Sequence, residues 1–463
     1  MTVIVQQPTD SNGNPQPMVY DSDTGKIIVD HDGYVINGSK RLVNVPTVSE
    51  YVNSPKTTTA GIQEALNYGT YVVLREGSFL IYEPIVLPKG RHLIGSGFGN
   101  NNNDFYDQTA PPVSPTNIGA GSWLIAQASM SAVITTNGNL PAQCEIRNLR
   151  IESNYLAEYG LNLSAGTEFP GDAISGLILE DIAATNATNV NIDISHNADI
   201  RVNSIYCWTK NTSGDFIITN VDMRAISPNS EIDMTNLFLY SPYSMDAGAD
   251  FTRISHSIIN SIQTETNYMT LDITNSYIAN EYQNVLSPYR INIQNPVSIY
   301  LTDIFFTVAD YSPVVISSGG NATLSIKNTV TQVYSNSAVN FLTNNGTLSG
   351  YYIDELSFGY IQSGSGTFIM LGDATISGTT AGTISLRQRN ASSNNKRVIF
   401  YFNGYENNTT TDQTIDFPLA FTTISGIIAN TTGLTISTTT SGITITAPDS
   451  TTTYSGILII EGY

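Results

Sequence analysis

The chain has 463 residues and a formal net charge of -20 at pH 7, with 19 Lys and Arg against 39 Asp and Glu. Charged residues make up 13% of it, about half the usual share. This balance excludes nucleic acid as a partner, because phosphate binding needs clustered Lys and Arg. No apolar run approaches about 18 residues, so no membrane insertion is expected.

The first 45 or so residues are polar, with turn signals at Ser11-Asn-Gly-Asn-Pro15 and Asp30-His-Asp-Gly33. Lys26–Val29 and Tyr34–Ile36 read as hairpin strands. Residues 1–50 are expected to form an attachment segment. The N-terminus lacks a basic start and an apolar core, so no signal peptide is expected.

Residues 57–69 read as one short helix, capped by Thr58 or Thr59, with Ile62, Ala65 and Leu66 as its apolar face. Strands and turns follow through Tyr71–Leu74, Ser78–Tyr82 and Ile85–Leu87. Residues 100–118, rich in Asn and Pro, read as a long loop.

From Cys144 to Phe358 one pattern returns about ten times: apolar, x, apolar, x, Asn or Asp, then usually apolar, x, apolar. Clear copies are Ile146-Arg-Asn148-Leu-Arg-Ile151, Leu177-Ile-Leu179-Glu-Asp181-Ile182, Phe216-Ile-Ile218-Thr-Asn220-Val-Asp-Met223 and Ile232-Asp-Met234-Thr-Asn236. Others are Ile254-Ser-His256, Leu271-Asp-Ile273-Thr-Asn275, Ile299-Tyr-Leu301-Thr-Asp303, Leu324-Ser-Ile326-Lys-Asn328 and Tyr351-Tyr-Ile353-Asp-Glu355. A shifted copy sits at Ile200-Arg-Val202-Asn203. The step averages about 23 residues, which marks a solenoid. Period-2 alternation makes its elements strands. The expected fold is all-β, a right-handed single-stranded parallel β-helix over residues 51–398, with the short N-terminal helix covering its open end. At each Asn or Asp the inward parity flips, so the chain must bend there. These side chains tolerate that bend by bonding their own backbone.

Short strands spaced about 8 to 12 residues apart fill residues 399–463, the spacing of a small β-sandwich knob. Thr383-Ile-Ser-Leu386 reads as a last rung before it. Cys144 and Cys207 fall on distant rungs and are expected to be free thiols. No zinc spacing, phosphate loop or nucleophile triad is legible, so no cofactor and no metal are expected.

In the repeat register, the outward position three before each corner gives a column: Glu145, Ile178, Ile217, Asp233, Arg253, Asp272, Tyr300, Ser325, Tyr352. The position one before the corner gives Arg147, Glu180, Thr219, Thr235, Ser255, Thr274, Thr302, Lys327, Asp354. Asp233, Arg253 and Asp272 fall on consecutive rungs. Two carboxylates flanking a guanidinium suit glycosidic cleavage, and Glu180 is a further candidate acid. The same Asp-Arg-Asp set equally makes a surface ion ladder. Tyr300, Tyr352, Tyr240 and Tyr243, with Tyr289, are candidates to stack on sugar rings or to be half-buried against a neighbouring subunit.

The run Thr57–Gly99, TTTAGIQEALNYGTYVVLREGSFLIYEPIVLPKGRHLIGSGFG, resembles the opening of pectate-lyase-like β-helices in viral tailspikes. The Ile415–Phe421 segment and the Gly-Ile-Leu-Ile-Ile-Glu-Gly-Tyr ending resemble terminal knobs of viral fibres. The resemblance implies a tail-fibre or tailspike protein of a virion, assembled as a homotrimer and joined through its N-terminus to other tail proteins. It would bind a host surface polysaccharide or glycoprotein. A polysaccharide hydrolase or lyase on the same scaffold is the alternative, and a cell-surface adhesin a third.

Overall fold

The computed structural model describes residues 58–68, 70–99, 121–165, 174–209, 219–223, 231–240, 243–247, 251–264, 269–278, 290–308, 313–333, 339–340, 342–360, 383–391, 395–406, 413–416, 421–431, 435–440, 442–446 and 453–462, with isolated short strands elsewhere. The loop read at residues 100–118 and Tyr289 lie outside them. The chain is nearly all β, 66% strand and 2% helix. It divides into two compact units, Met1–Thr252 and Arg253–Tyr463.

In the first unit, from Tyr71 onward, successive strands alternate between two parallel sheets; before them Lys26–Val29 pairs antiparallel with Val35–Asn37 and parallel with Tyr71–Leu74. Tyr71–Leu74 pairs with His92–Ile94, which pairs with the first half of Glu145–Glu152. Gly77–Ile81 pairs with Ser122–Ala126, which pairs with the second half. Ile174–Thr185, Ala198–Trp208 and Glu231–Tyr240 follow in order. The second sheet runs Ile85–Val86, Met130–Thr135, Ala157–Asn162, Val190–Asp193, Thr219–Met223, Tyr243–Ala247. Each circuit of the chain adds one strand to each sheet, which is how a β-helix coils. The second unit repeats this with Met269–Ile278, Pro296–Val308, Asn321–Lys327 and Thr347–Tyr360 in one sheet, and Ile262–Thr264, Ile291–Ile293, Val314–Ile316 and Leu342–Asn344 in the other.

The corners have the expected cause. Asn148, Asp181, Asn236, His256, Asn275, Asp303 and Asn328 all carry left-handed backbone, with φ between 44° and 57°. Ile146, Leu149 and Ile151 around the first of them are fully buried, so the chain keeps an inward apolar row on both sides of the bend. Asn328 donates from Nδ2 to Asp303 Oδ1 at 2.5 Å, one rung to the next. Left-handed backbone costs a residue with a Cβ about 1–2 kcal/mol, and a β-branched one more. We expect Asn275→Val to lower stability by about 2 kcal/mol and Asn275→Gly to leave it within about 0.5 kcal/mol, read as urea midpoints at unchanged slope.

Three details differ from the sequence reading. The bend of the shifted copy is at Ser204, φ 55°, and not at Asn203; Asn203 stands beside Glu180, one position before the corner. The copy Phe216–Met223 is no corner: Thr219–Met223 belongs to the second sheet, beside Val190–Asp193. Its alternation is that of any strand with one buried face, so the pattern alone does not say which sheet it joins. Thr383–Ala391 is no parallel rung either, since it pairs antiparallel with Thr347–Tyr360 and with Asn395–Glu406. Antiparallel pairing continues through Thr453–Gly462 and Ile424–Thr431.

The helix is Ile62–Tyr68, with Ile62, Ala65 and Leu66 fully buried and Gln63 N donating to Thr59 Oγ1 at 3.4 Å. The Gln63 carboxamide accepts from Val86 N at 2.6 Å and donates to Val86 O at 3.0 Å. It thus pairs with the first strand of the second sheet as a neighbouring strand would. No helix among the described residues is long and apolar enough to cross a membrane.

Candidate functional site

Two outward columns run down the first sheet of the first unit. One reads Tyr71, His92, Glu145, Ile178, Arg201, Asp233. The other, two residues further along each strand, reads Val73, Ile94, Arg147, Glu180, Asn203, Thr235. The residues between them, Val72, Leu93, Ile146, Leu179, Val202 and Met234, are buried, which turns both columns outward. The place after Ile178, which the sequence column assigned to Ile217, is therefore held by Arg201, and Ile217 lies outside the described residues.

At the upper end these columns form one connected polar group. Tyr71, 36% exposed, lies flat against the His92 imidazole, ring centres 4.2 Å apart and planes 10° from parallel. His92 Nδ1 meets Glu145 Oε2 at 2.9 Å. An ionised carboxylate can only accept, so in the neutral ring Nδ1 carries the hydrogen and Nε2 keeps its lone pair. Arg147 is ion-paired on two rungs: its guanidinium lies against Glu145 Oε1 and its Nη1 meets Glu180 Oε2 at 2.7 Å. Asn203 donates to Glu180 Oε1 at 3.3 Å, and Asn236 to Asn203 Oδ1 at 2.9 Å. A row of six rungs from Tyr71 to Asn236 is thereby fixed by side-chain contacts as well as by the sheet.

Partial burial pushes the His92 imidazolium down from its ordinary pKa, and the Arg147 guanidinium adds to this. Because the folded pKa lies below 6.5, the unfolded chain binds the proton more readily. The stability that the neutral ring supplies is present above about pH 6.5 and is lost as pH falls through that value towards the folded one. We expect the His92→Gln variant, which cannot be protonated, to lose less stability than the parent when urea midpoints are compared at about pH 7 and about pH 5.

The other predicted residues are placed as follows. Asp233 is exposed and stands beside Arg201 in the first unit. Asp272 belongs to the second unit, beside Tyr300, which is 45% exposed; Ser325 and then Tyr352 continue that column. Ile258 stands beside Tyr277, and the same offset carries Arg253 to Asp272. Tyr240 ends its strand beside Trp208, and Tyr243 starts a strand of the second sheet beside Thr219. Glu180 joins the His92 group through Arg147. Sequence reasoning missed Tyr71 and His92 altogether. His92 and Glu145 are 53 residues apart, and only the rung pairing joins them.

A second polar group lies on the other side of the corners, and it is buried. Arg150 and Glu152, 3% and 0% exposed, point away from the apolar interior, yet solvent does not reach them. Arg150 Nη2 donates to Glu152 Oε2 at 3.0 Å, and its guanidinium lies 4.0 Å from the centre of the Trp123 ring and 5.3 Å from that of Trp208. Glu152 also accepts from Thr185 Oγ1 at 2.7 Å, Asn186 Nδ2 at 2.8 Å and Asn154 N at 3.1 Å. Every charge here is met inside the fold. Cys144 and Cys207 are buried free thiols, and burial raises the pKa of both, so neither is a ready nucleophile.

No protein-family model and no curated protein sequence matches the chain. Among solved structures it is similar to the A-module of the mannuronan C-5 epimerase AlgE4 of Azotobacter vinelandii, at 11% identity and TM-score 0.27, over 66% of this chain and 94% of that one. It is similar to the tailspike protein gp49 of the Acinetobacter baumannii bacteriophage Fri1, a capsular polysaccharide depolymerase, at 10% identity and TM-score 0.27, over 87% and 82%. It is also similar to the Gp54 tailspike of the Acinetobacter baumannii bacteriophage AP22, solved with capsular saccharide, at 10% identity and TM-score 0.28, over 98% of each chain. At this level the likeness assigns neither an activity nor a partner, and the coil rests on the strand register above.

Proposed function

We propose that the chain is a tail-fibre or tailspike protein that binds a host surface glycan along the outer face of its parallel coil. The observation that carries this reading is the row from Tyr71 to Asn236. It sets an exposed aromatic ring beside an ordered line of acceptors and amides, the combination that takes up a sugar's ring face and its hydroxyls. The resemblance of Thr57–Gly99 to tailspike openings supports the virion setting. In this reading residues 1–50 attach the fibre to other tail proteins and the Ile62–Tyr68 helix covers the open end of a right-handed shaft that stops before the antiparallel strand Thr383–Ala391. Residues 399–463 form a knob that holds a homotrimer, and the protein is exposed on the virion tail.

Binding to an immobilised glycan panel tests it. Tyr71→Ala is expected to weaken the retained glycan about tenfold, the loss of one stacked ring, in a protein that stays folded with its urea midpoint lowered by the lost Tyr71–His92 stack. Unchanged binding would move the site to the column of Asp272, Tyr300 and Tyr352.

A second reading is cleavage of the bound glycan, favoured by His92. A neutral imidazole oriented through Nδ1 by a carboxylate keeps Nε2 as a proton acceptor. Glu180 and Asp233 in the first unit, and separately Arg253 and Asp272 in the second, remain the proposed acids and cation of such an enzyme. Release of reducing ends by the parent, lost in His92→Gln or in Asp233→Asn and Asp272→Asn with binding retained, decides for cleavage and says which set performs it.

A further inference from the structure

Resting on the glycan-binding reading of the Tyr71–Asn236 row, we infer that its ligand is an uncharged, hydroxyl-rich hexose polymer and not a polyanion. Between His92 and Asp233 the two outward columns carry three carboxylates, Glu145, Glu180 and Asp233, against two guanidiniums, Arg147 and Arg201. Arg147 is not offered outward alone, being held between Glu145 and Glu180; Arg201 is exposed, with the carboxylate residue Asp233 on the next rung of its column. Arg150, on the same sheet, is buried on Glu152. His92 is kept from protonation by partial burial and by Arg147.

A uronate or sulfate on the glycan would thus meet net negative charge locally. It would approach a chain whose whole surface carries -20, a field that lowers the encounter rate of anions. To reach Arg147 it would have to displace two carboxylates that already satisfy it. A hydroxyl has the opposite prospects: Glu145 and Glu180 are only acceptors, and sugar hydroxyls donate. Tyr71, stacked on His92 and with Lys26 on the rung before it, supplies an exposed aromatic ring. The six rungs, about 4.8 Å apart, span roughly 24 Å, the length of a short oligosaccharide, so a polymer and not a single sugar fits the row.

The experiment presents the full chain with immobilised dextran, mannan and laminarin as neutral probes, and alginate, hyaluronan and polygalacturonate as acidic ones, at low and at physiological salt. The expected result is retention on at least one neutral polymer that changes less than twofold with salt, and none on the acidic set. Tyr71→Ala and Glu180→Gln should each weaken that retention about tenfold. The double variant Glu145→Gln, Glu180→Gln leaves Arg147 without its carboxylates. It is expected to gain salt-sensitive retention on polygalacturonate, which a merely structural ion network would not produce. Parent retention on an acidic polymer that Tyr71→Ala abolishes overturns the inference and keeps the glycan site. Retention on no polymer, or retention that Tyr71→Ala and Glu180→Gln leave untouched, overturns the reading of the row as a glycan site.

Discussion

Replacing Glu152 with alanine should destabilise the first unit by about 3–5 kcal/mol, the largest loss expected from any single polar residue in it. The carboxylate is fully buried and accepts from Arg150, Thr185, Asn186 and the backbone of Asn154. Removing it takes the Glu152 counter-charge from a guanidinium that lies between two indole rings, and leaves three further donors short of an acceptor. The trapped Arg150 accounts for most of the cost, and a double variant shows it. Arg150→Met with Glu152→Leu removes both charges at similar volume and is expected to recover most of the loss, because a well-packed apolar pair is often no worse than a buried ion pair. A urea midpoint for Glu152→Ala within about 1 kcal/mol of the parent would mean that water enters the group. Glucan or mannan retention by any variant that stays folded should be unchanged, since this group lies across the corners from the Tyr71 row.

The corners were legible because one local preference dictates them. Asn and Asp accept left-handed backbone more readily than other residues with a Cβ, and their spacing therefore reports the coil directly. Ser204 escaped because serine gives no such signal and Asn203, one position earlier, does; the rung pairing of Glu180 with Asn203 settles it. Thr219–Met223 was misplaced for the converse reason. Its apolar alternation describes a half-buried strand, and burial of one face is common to both sheets.

The site was less legible, and the reason is distance along the chain. Glu145, Arg147 and Glu180 appear in the repeat and fall into the correct outward columns. His92 and Tyr71 precede the first clear copy of the repeat, on strands of three and four residues. There the corner pattern is broken because the two halves of a rung are still separate strands. The group of Arg150 was hidden by a different assumption, that outward positions face water. Ser122–Ala126 is buried along its whole length, so both of its faces are covered, and Trp123 there is an outward residue in a dry setting.

Gly95→Ala is the substitution expected to injure stability and the row together. A Cβ at this position would stand 2.2 Å from the Asn148 carbonyl oxygen, 2.9 Å from Leu149 Cβ and 3.0 Å from Ser122 Cβ. None of these is the far end of a flexible side chain, so the backbone itself must move. Gly95 N also donates to Arg147 O at 2.8 Å, and Gly97 N to Asn148 O at 2.7 Å. The Gly95-Ser-Gly97 turn is thus bonded to the corner that aims Arg147 at Glu145 and Glu180. Overpacking against a fixed corner is expected to cost about 3 kcal/mol or more. The part of the corner shift that survives folding should tilt Arg147 away from one of its two carboxylates. Ser96→Ala, one residue on and exposed, is the matched control and should lose less than about 1 kcal/mol. If Gly95→Ala is folded and weakens neutral-glycan retention at least tenfold at a temperature well below its melting point, while Ser96→Ala does neither, the corner is what positions the row. Full retention in a destabilised Gly95→Ala protein would instead show that the Tyr71 and His92 strands hold the site without it.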